Sequence, residues 1–249
     1  MQREIWQKTR YFADEFEAGV SVKQEAYLNI IQMKNRILIY ILGVVILFQF
    51  GRSYGQSIDG QLFNSEYTSI EEALKNPEKV IRLNLSNQSL SELPKGLSKF
   101  KNLEYLSFRN DHLKSISPEI SSLKKLKVLD LGGNDFTVLP ISLAKLQNLE
   151  ELYLDNEKNL DIRQGIEILG KLPKLKILHL DNDGIEKLPP NIKKLSHLET
   201  LSLSNNLLRV VPPQMKDLKH LKYLDLNNNH LPTNLHLNQP ADYGLKIRF

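Results

Sequence analysis

The sequence contains no cysteine among its 249 residues. Disulfide bonds, thiolate metal ligands and cysteine nucleophiles are therefore excluded. A domain exported without disulfides must be held together by packing alone, which favours a bacterial export route over a eukaryotic one. A large excess of either charge is also missing, since 33 Lys and Arg residues against 29 Asp and Glu residues leave a net charge of +4. This balance argues against a nucleic-acid partner, which usually requires a concentrated basic surface.

The sequence also lacks an apolar run long enough to span a membrane comfortably. The stretch ILIYILGVVILFQF at residues 37–50 would rise only about 21 Å as a helix, against a hydrocarbon core of about 30 Å. The basic residues Lys34 and Arg36 precede it, and the small residues Ser53 and Gly55 follow it. This order is the layout of a secretory signal peptide, which we predict over residues 33–55.

The 32 residues before Met33 do not fit a signal peptide, which begins at its initiator. Two interpretations remain open. Either Met33 is the true start and residues 1–32 come from a start codon placed too far upstream, or they form a cytoplasmic tail. In the second case residues 37–50 would be a short signal anchor with Arg36 on the inner side. The first predicts cleavage before Gln56, and both place the chain after residue 56 outside the cytoplasm.

One pattern of leucines recurs from Val80 onward and predicts a repeat protein. Val80 begins the first of seven units over residues 80–235, and the fourth unit is three residues longer than the others. Six units open on leucines, which are 23 residues apart except for one interval of 26: Leu103, Leu126, Leu149, Leu175, Leu198 and Leu221.

The units read, for example, LKVLDLGGNDFTVLP from Leu126 and resemble the leucine-rich-repeat family, with its consensus LxxLxLxxNxLxxLPxxLxxLxx. The resemblance covers residues 80–235. It implies a solenoid of the α/β class, with a curved parallel β-sheet on the concave side and short helical or irregular segments on the convex side. It also implies a non-catalytic module that binds a protein partner.

The repeat has a direct physical reading. Leu129 and Leu131 are two residues apart, so both point to one face of a strand. An asparagine after the strand can both donate to and accept from the backbone where the chain turns inward. Asparagine occupies this position at Asn134, Asn206 and Asn229, whereas Gln88, Asp111 and Asp183 depart from it. We expect looser turns at these departures.

Both ends of the array need covering, because exposed sheet edges pair with other chains. Upstream, residues 56–79 read as a linker followed by a short capping helix with a capping box of Thr68 and Glu71. Downstream, residues 236–249 read as a C-terminal cap in which GLKIRF forms a final strand. The longer fourth unit carries apolar residues at helical spacing in DIRQGIEILGKL, which predicts a fuller helix there.

Outward positions on the strands define the predicted partner-binding surface. Acidic residues give its middle a negative charge, and tyrosines supply anchors of the kind enriched in binding hot spots. We therefore predict a protein partner with a basic or polar surface. The predicted site residues are Tyr105, Asp130, Glu151, Tyr153, Asp155, His179, Asp181, Tyr223 and Asp225.

The sequence gives no support for catalysis. Its six histidines fall in different units without metal-ligand spacing, and no phosphate-binding loop is present. His179 is expected near Asp155 and Asp181, but this group lacks a nucleophile and an enclosed pocket. In bacterial effectors that join such repeats to a ubiquitin-ligase domain the catalytic group is a cysteine, which this chain does not have. We therefore expect no enzyme activity, cofactor, metal, small-molecule substrate or nucleic-acid partner, and we expect a monomer.

A different reading assigns the chain to the inside of the cell. Its 23-residue units with Leu-Pro also resemble those of intracellular signalling adaptors, and this alternative requires that residues 37–50 do not act in export. No motif in the sequence identifies the partner, since repeat scaffolds are reused for unrelated targets.

Overall fold

The computed structural model describes residues 66–211, 213–232 and 245–248. The predicted signal segment, the residues before it, the linker up to residue 65 and most of the C-terminal cap lie outside these ranges. No helix within the described ranges is long and apolar enough to cross a membrane.

The described residues form one parallel sheet of nine strands, in which each strand pairs with the next one along the chain. The prediction of a leucine-rich-repeat solenoid is confirmed. The sheet extends beyond the seven repeats by one strand at each end, of which only the last was predicted. The strands are β1 (Glu66–Tyr67), β2 (Arg82–Asn84), β3 (Tyr105–Ser107), β4 (Val128–Asp130), β5 (Glu151–Tyr153), β6 (Ile177–His179), β7 (Thr200–Ser202), β8 (Tyr223–Asp225) and β9 (Lys246–Arg248).

A ladder of leucines fixes the register of these strands. The central residue of each strand from β2 to β8 is a leucine that pairs with the central residue of the next strand, and Ile247 takes this place in β9. All seven leucines are completely buried. Burial of such a side chain stabilises the fold by about 1.5–3 kcal/mol, and stacking of neighbouring units provides that burial. The members of the ladder are Leu83, Leu106, Leu129, Leu152, Leu178, Leu201 and Leu224.

The return segments between strands are short helices. Most are 3-10 helices of three to five residues, whereas the longer fourth unit contains the α-helix α2. The Asp161 side chain caps α2 by accepting a hydrogen bond from the Gln164 N–H at 3.0 Å, as predicted for a fuller helix there. The elements are α1 (Ile70–Ala73), α2 (Ile162–Leu169) and 3-10 helices at Pro77–Lys79, Leu97–Lys99, Pro118–Ser122, Ile141–Lys145, Pro190–Lys194 and Pro213–Asp217.

The N-terminal capping helix is present as α1, but the predicted capping box of Thr68 and Glu71 is wrong. Ser69 caps α1, since its Oγ accepts a hydrogen bond from the Glu72 N–H at 3.3 Å and its hydroxyl donates to the Glu71 carboxylate at 2.7 Å. The helix starts one residue later than predicted because the preceding residues are extended in β1.

Buried asparagines hold the turns between units where they occur, at Asn134 and Asn206. The Asn206 Nδ2 donates to the carbonyls of Leu180 and Leu203 at 2.7 and 3.0 Å. Its Oδ1 accepts from the N–H groups of Asp183 and Ile185, both at 3.0 Å. One side chain thus satisfies four backbone groups from two adjacent units, which would otherwise be buried without partners.

The expectation of looser turns at the departures from asparagine is wrong. In all seven units the residue before the asparagine position has a φ between 55° and 69°, whichever side chain occupies that position. The carboxylates that replace asparagine still accept hydrogen bonds from backbone N–H groups, although they cannot donate to carbonyls. Asp183 Oδ1, for example, accepts from the Glu157 N–H at 2.6 Å. Glu157 itself is a departure that the sequence reading overlooked, and it accepts from the N–H groups of Asn134 and Phe136.

Burial without a full set of donors changes the acidity of two of these carboxyls. Burial raises the pKa of Glu157 to about 8 and that of Asp183 to about 7. Both pKa values are higher than in an unfolded chain, so protonation favours the folded state. The stability from these two groups is therefore fully present below the unfolded pKa and is lost as the pH rises through 7 and 8.

Replacing Asp183 by Asn and Glu157 by Gln should raise the free energy of unfolding near pH 9 by about 1–3 kcal/mol, and by little near pH 5. The amides supply a donor without a buried charge. Denaturant unfolding at several pH values measures this difference. Glu186→Gln, at an exposed site, is the matched control and should change stability by less than about 0.5 kcal/mol. A gain that does not depend on pH would contradict the argument.

Candidate functional site

The predicted site residues all lie on the outward, concave side of the sheet. They occupy three columns that face away from the core. The first column is the residue before each ladder leucine, the second is the residue after it, and the third is the residue two places after the strand. Backbone hydrogen bonds continue beyond the strand ends, as from Gly133 N–H to the Asp155 carbonyl at 2.8 Å. The first column holds Tyr105, Glu151 and Tyr223, the second Asp130, Tyr153, His179 and Asp225, and the third Asp155 and Asp181.

Arg109, in the third column, occupies the centre of this face. Its Nη1 and Nη2 donate to both carboxylate oxygens of Asp155 at 2.7 Å, and its Nε donates to Asp130 at 2.9 Å. The side chains of Asp130 and Asp155 are only 12% and 13% exposed. Such bidentate, charge-assisted contacts are among the strongest that a side chain makes.

This network compensates part of the negative charge that the sequence predicts for the middle of the face. The hydrogen bond to Asp155 raises the pKa of Arg109 above its ordinary value, so the guanidinium stays charged. Burial raises the pKa of Asp130, while the contact with Arg109 acts in the opposite direction. Asp130 and Asp155 are thus paired within the chain. The sequence places Arg109 in the third outward column, but Arg109 was not among the predicted site residues because the reach of a guanidinium across columns does not follow from strand spacing.

Tyr153 and His179 form a stacked pair beside Arg109. Their ring centroids are 4.1 Å apart and their planes differ by 1°. The Tyr153 hydroxyl donates to Glu151 Oε1 at 2.5 Å, and His179 Nε2 lies 3.3 Å from the same oxygen. Burial and this hydrogen bond raise the pKa of Tyr153, whereas the contact with His179 lowers the pKa of Glu151. One carboxylate therefore fixes the orientation of both rings.

Asp181 lies on the other side of His179 and is oriented toward β7. Its Oδ1 accepts from the Ser202 hydroxyl at 2.6 Å, the Ser204 N–H at 2.6 Å and the Ser204 hydroxyl at 2.7 Å. Its Oδ2 lies 3.9 Å from His179 Nδ1. The side chains of Asp181 and Glu151 are each 24% exposed, about twice as much as those paired with Arg109.

Separate contacts occupy the two ends of the face. The Arg82 guanidinium carbon lies 3.9 Å from the centroid of the Tyr105 ring, and Arg82 also pairs with Glu66 at 3.1 Å. At the other end, Asp225 Oδ2 lies 3.5 Å from the Tyr223 hydroxyl and 3.8 Å from Arg248. The structure thus links six predicted residues through Arg109 and His179, namely Asp130 and the five from Glu151 to Asp181. Tyr105 forms a separate group, and so does the Tyr223–Asp225 pair.

His179 lies between two carboxylates. It pairs with Glu151 and Asp181 rather than with Asp155, and the nearby Ser202 hydroxyl donates to Asp181 and not to the imidazole. No cluster of three or more His, Asp or Glu side chains that could hold a metal ion occurs in the part of the chain that the structure describes.

Comparison with known proteins agrees with this geometry. A family model described as leucine rich repeat matches residues 101–158 and 173–231. The chain belongs to the leucine-rich-repeat proteins, whose repeats typically serve as protein-interaction modules. No curated protein matches the chain in sequence.

Solved structures share the fold. A leucine-rich-repeat protein of Leptospira interrogans is 26% identical with a TM-score of 0.51, and the match covers 74% of this chain and 58% of that one. The matched part thus spans little more than half of the Leptospira chain. Internalin C2 of Listeria monocytogenes is 25% identical with a TM-score of 0.52, over 74% of this chain and 78% of that one. A chain in the Toll–Spatzle complex of Drosophila is 22% identical with a TM-score of 0.60. That match covers 74% of this chain and 25% of the other one, and at this identity it shows the fold alone.

Replacing Arg109 by Gln should lower the free energy of unfolding at pH 7 by about 1–3 kcal/mol, because two largely buried carboxylates lose their counter-charge. The loss should shrink at acid pH, where Asp130, whose pKa is raised by burial, becomes protonated and loses its charge. Arg82→Gln is the matched control, since the Arg82–Glu66 pair is 37% and 36% exposed and should contribute less than about 1 kcal/mol. Equal losses in the two variants, measured by denaturant unfolding, would contradict the assigned role of Arg109.

Proposed function

We propose that this chain is an exported, non-catalytic module that binds a protein partner on the concave face of its sheet. One observation carries the proposal. The outward columns hold stacked aromatic rings and partly exposed carboxylates in fixed positions, although the packing of the core does not require these residue types there. Ordered aromatic side chains beside charged groups are typical of binding hot spots.

The size of the face suggests how the partner binds. Nine strands at about 4.8 Å spacing, with a width of about five residues that holds the three outward columns, offer on the order of 600 Å². A standard interface takes about 800 Å² from each partner. The partner therefore contacts the rims of the solenoid as well, or binds with modest affinity.

Catalysis is not part of the proposal. An open concave face does not exclude water, and enzymes hold their reacting groups in enclosed pockets. The contacts of His179 described above orient it for stacking rather than for proton transfer to a nucleophile. The chain acts as a monomer in this proposal. Its partner is a protein and not a small-molecule substrate.

Export rests on the signal-peptide pattern at residues 33–55, with membrane anchoring by residues 37–50 as the related alternative. N-terminal sequencing of the protein released by the producing cell should give a mature chain that begins at Gln56. A chain retained in the membrane with residues 37–50 intact would favour the anchor. Recovery of the uncleaved chain in the cytoplasmic fraction would contradict export and favour the intracellular scaffold.

Changing Tyr153 and Asp181 together to Ala should weaken capture of the partner by roughly tenfold or more, since removing hot-spot side chains typically costs about 2 kcal/mol or more. The circular dichroism spectrum should not change, because neither side chain lies in the leucine core. Capture from membranes and culture supernatant, followed by mass spectrometry, compares the variant with the native chain.

The control for this experiment is Glu186→Ala with Lys187→Ala, which changes two exposed residues on a return segment and should leave capture unaltered. Equal capture by the native chain and the Tyr153–Asp181 variant would count against binding at this part of the face.

A further inference from the structure

The concave face offers an uncovered ring beside a strand of small residues. Register places Tyr153, His179 and Ser202 next to one another on β5, β6 and β7. One face of the His179 ring stacks on Tyr153, and the planes are parallel within 1°. The other face must therefore point toward β7, where Ser202 and Thr200 are too small to cover it. The His179 side chain is 23% exposed.

The polar groups around this ring are arranged as acceptors. The hydroxyls of Ser202 and Ser204 both donate to Asp181 Oδ1. A hydroxyl has one proton, so the remaining lone pairs of these two oxygens can only accept. Asp181 Oδ2 can also only accept, and it lies 3.9 Å from His179 Nδ1. A ligand placed above Ser202 would thus meet three acceptor oxygens and a flat ring, although one of these oxygens, Ser204 Oγ, also accepts from Asn205 Nδ2 at 3.2 Å.

This combination selects among the side chains of a partner. An amide would bring an acceptor that these three oxygens cannot satisfy, and an ammonium has no plane to stack on the ring. A guanidinium is planar, carries five N–H donors and no acceptor, stacks on aromatic faces and pairs with carboxylates. We infer that the partner inserts an arginine above Ser202, and this inference rests on the proposed function. The guanidinium of that arginine stacks on His179 and donates to Asp181 and the two serines.

Two arginines of the chain itself already lie beside both an aromatic ring and a carboxylate on this face. The Arg82 guanidinium lies 3.9 Å from the centroid of the Tyr105 ring, and Arg109 combines a two-pronged contact to Asp155 with a position 5.8 Å from the Tyr153 ring. The carboxylates between β1 and β5 are largely occupied by these arginines. Asp225 has Arg248 at 3.8 Å. Glu151 Oε1 already accepts from the Tyr153 hydroxyl and lies 3.3 Å from His179 Nε2. Asp181, whose Oδ1 is bound to Ser202 and Ser204 of the β7 side, is therefore the carboxylate placed to meet a guanidinium above Ser202.

The test uses the full-length chain and two small probes of nearly identical shape. N-acetyl-arginine amide and N-acetyl-citrulline amide differ in that a urea oxygen in citrulline replaces a charged N–H₂ group. Titrations followed by two-dimensional NMR should show arginine-dependent shifts at the amides of His179, Ser202 and Ser204. Citrulline should bind at least about tenfold more weakly, as expected when one charge-assisted contact is lost. Equal shifts from both probes, or arginine shifts confined to other strands, would overturn the inference.

Two variants locate the probe. Ser202→Leu fills the space above β7, and Asp181→Asn removes the charge while keeping the side-chain size, so each should weaken arginine binding at least about fivefold. Ser196→Leu, on an exposed return segment, is the control and should not alter it. Arginine binding that is unaffected by Ser202→Leu would overturn the inference.

The same variants separate this inference from the proposed function. If Ser202→Leu leaves capture of the partner unchanged while the Tyr153–Asp181 variant loses it, the concave face binds a protein but the arginine site is wrong. If the arginine probe binds as described but no protein is captured by the native chain, the site stands and the proposed function falls.

Discussion

The leucine ladder determines the arrangement of everything else in this structure. Each ladder leucine is completely buried between its counterparts in the neighbouring units, so a strand can neither slip nor tilt without exposing apolar surface. A slip of a single residue would move a whole strand's apolar side chains to solvent. Because the inward residues are aligned across the sheet, the outward residues are aligned as well. The columns of the concave face are thus a direct result of core packing.

Alignment at strand spacing places the outward side chains close enough to interact with one another before any partner arrives. Long side chains use this proximity, and Arg109 spans two further strands to reach Asp155. Charges in the first half of the face are therefore largely compensated within the chain. The second half, around β6 and β7, has shorter side chains and keeps acceptor oxygens that are not fully used. The middle of the face, for which the sequence predicts an acidic character, thus has compensated carboxylates beside Arg109 and carboxylates without an arginine partner beside His179.

The sequence predicted those features that repeat and missed those that depend on single side chains. The strand positions, the ladder, the helix α2 in the longer unit and the final strand β9 follow from periodicity, since each unit must pack on the next. The strand β1 lies outside the periodic region and was missed. The stacking of Tyr153 on His179 and the reach of Arg109 depend on rotamers that periodicity does not encode. The turns stayed regular at Asp183 because packing of the leucines on both sides outweighs the loss of one donor.

The claim that the concave face binds a protein is tested most directly by hydrogen–deuterium exchange of the full-length chain with and without its captured partner. The account predicts slower exchange on binding at the loops and strand ends that follow β5, β6 and β7, where backbone amides border the outward columns, and little change in the 3-10 helices of the return segments. Protection confined to the return segments, with exchange around β5 to β7 unaltered, would contradict it.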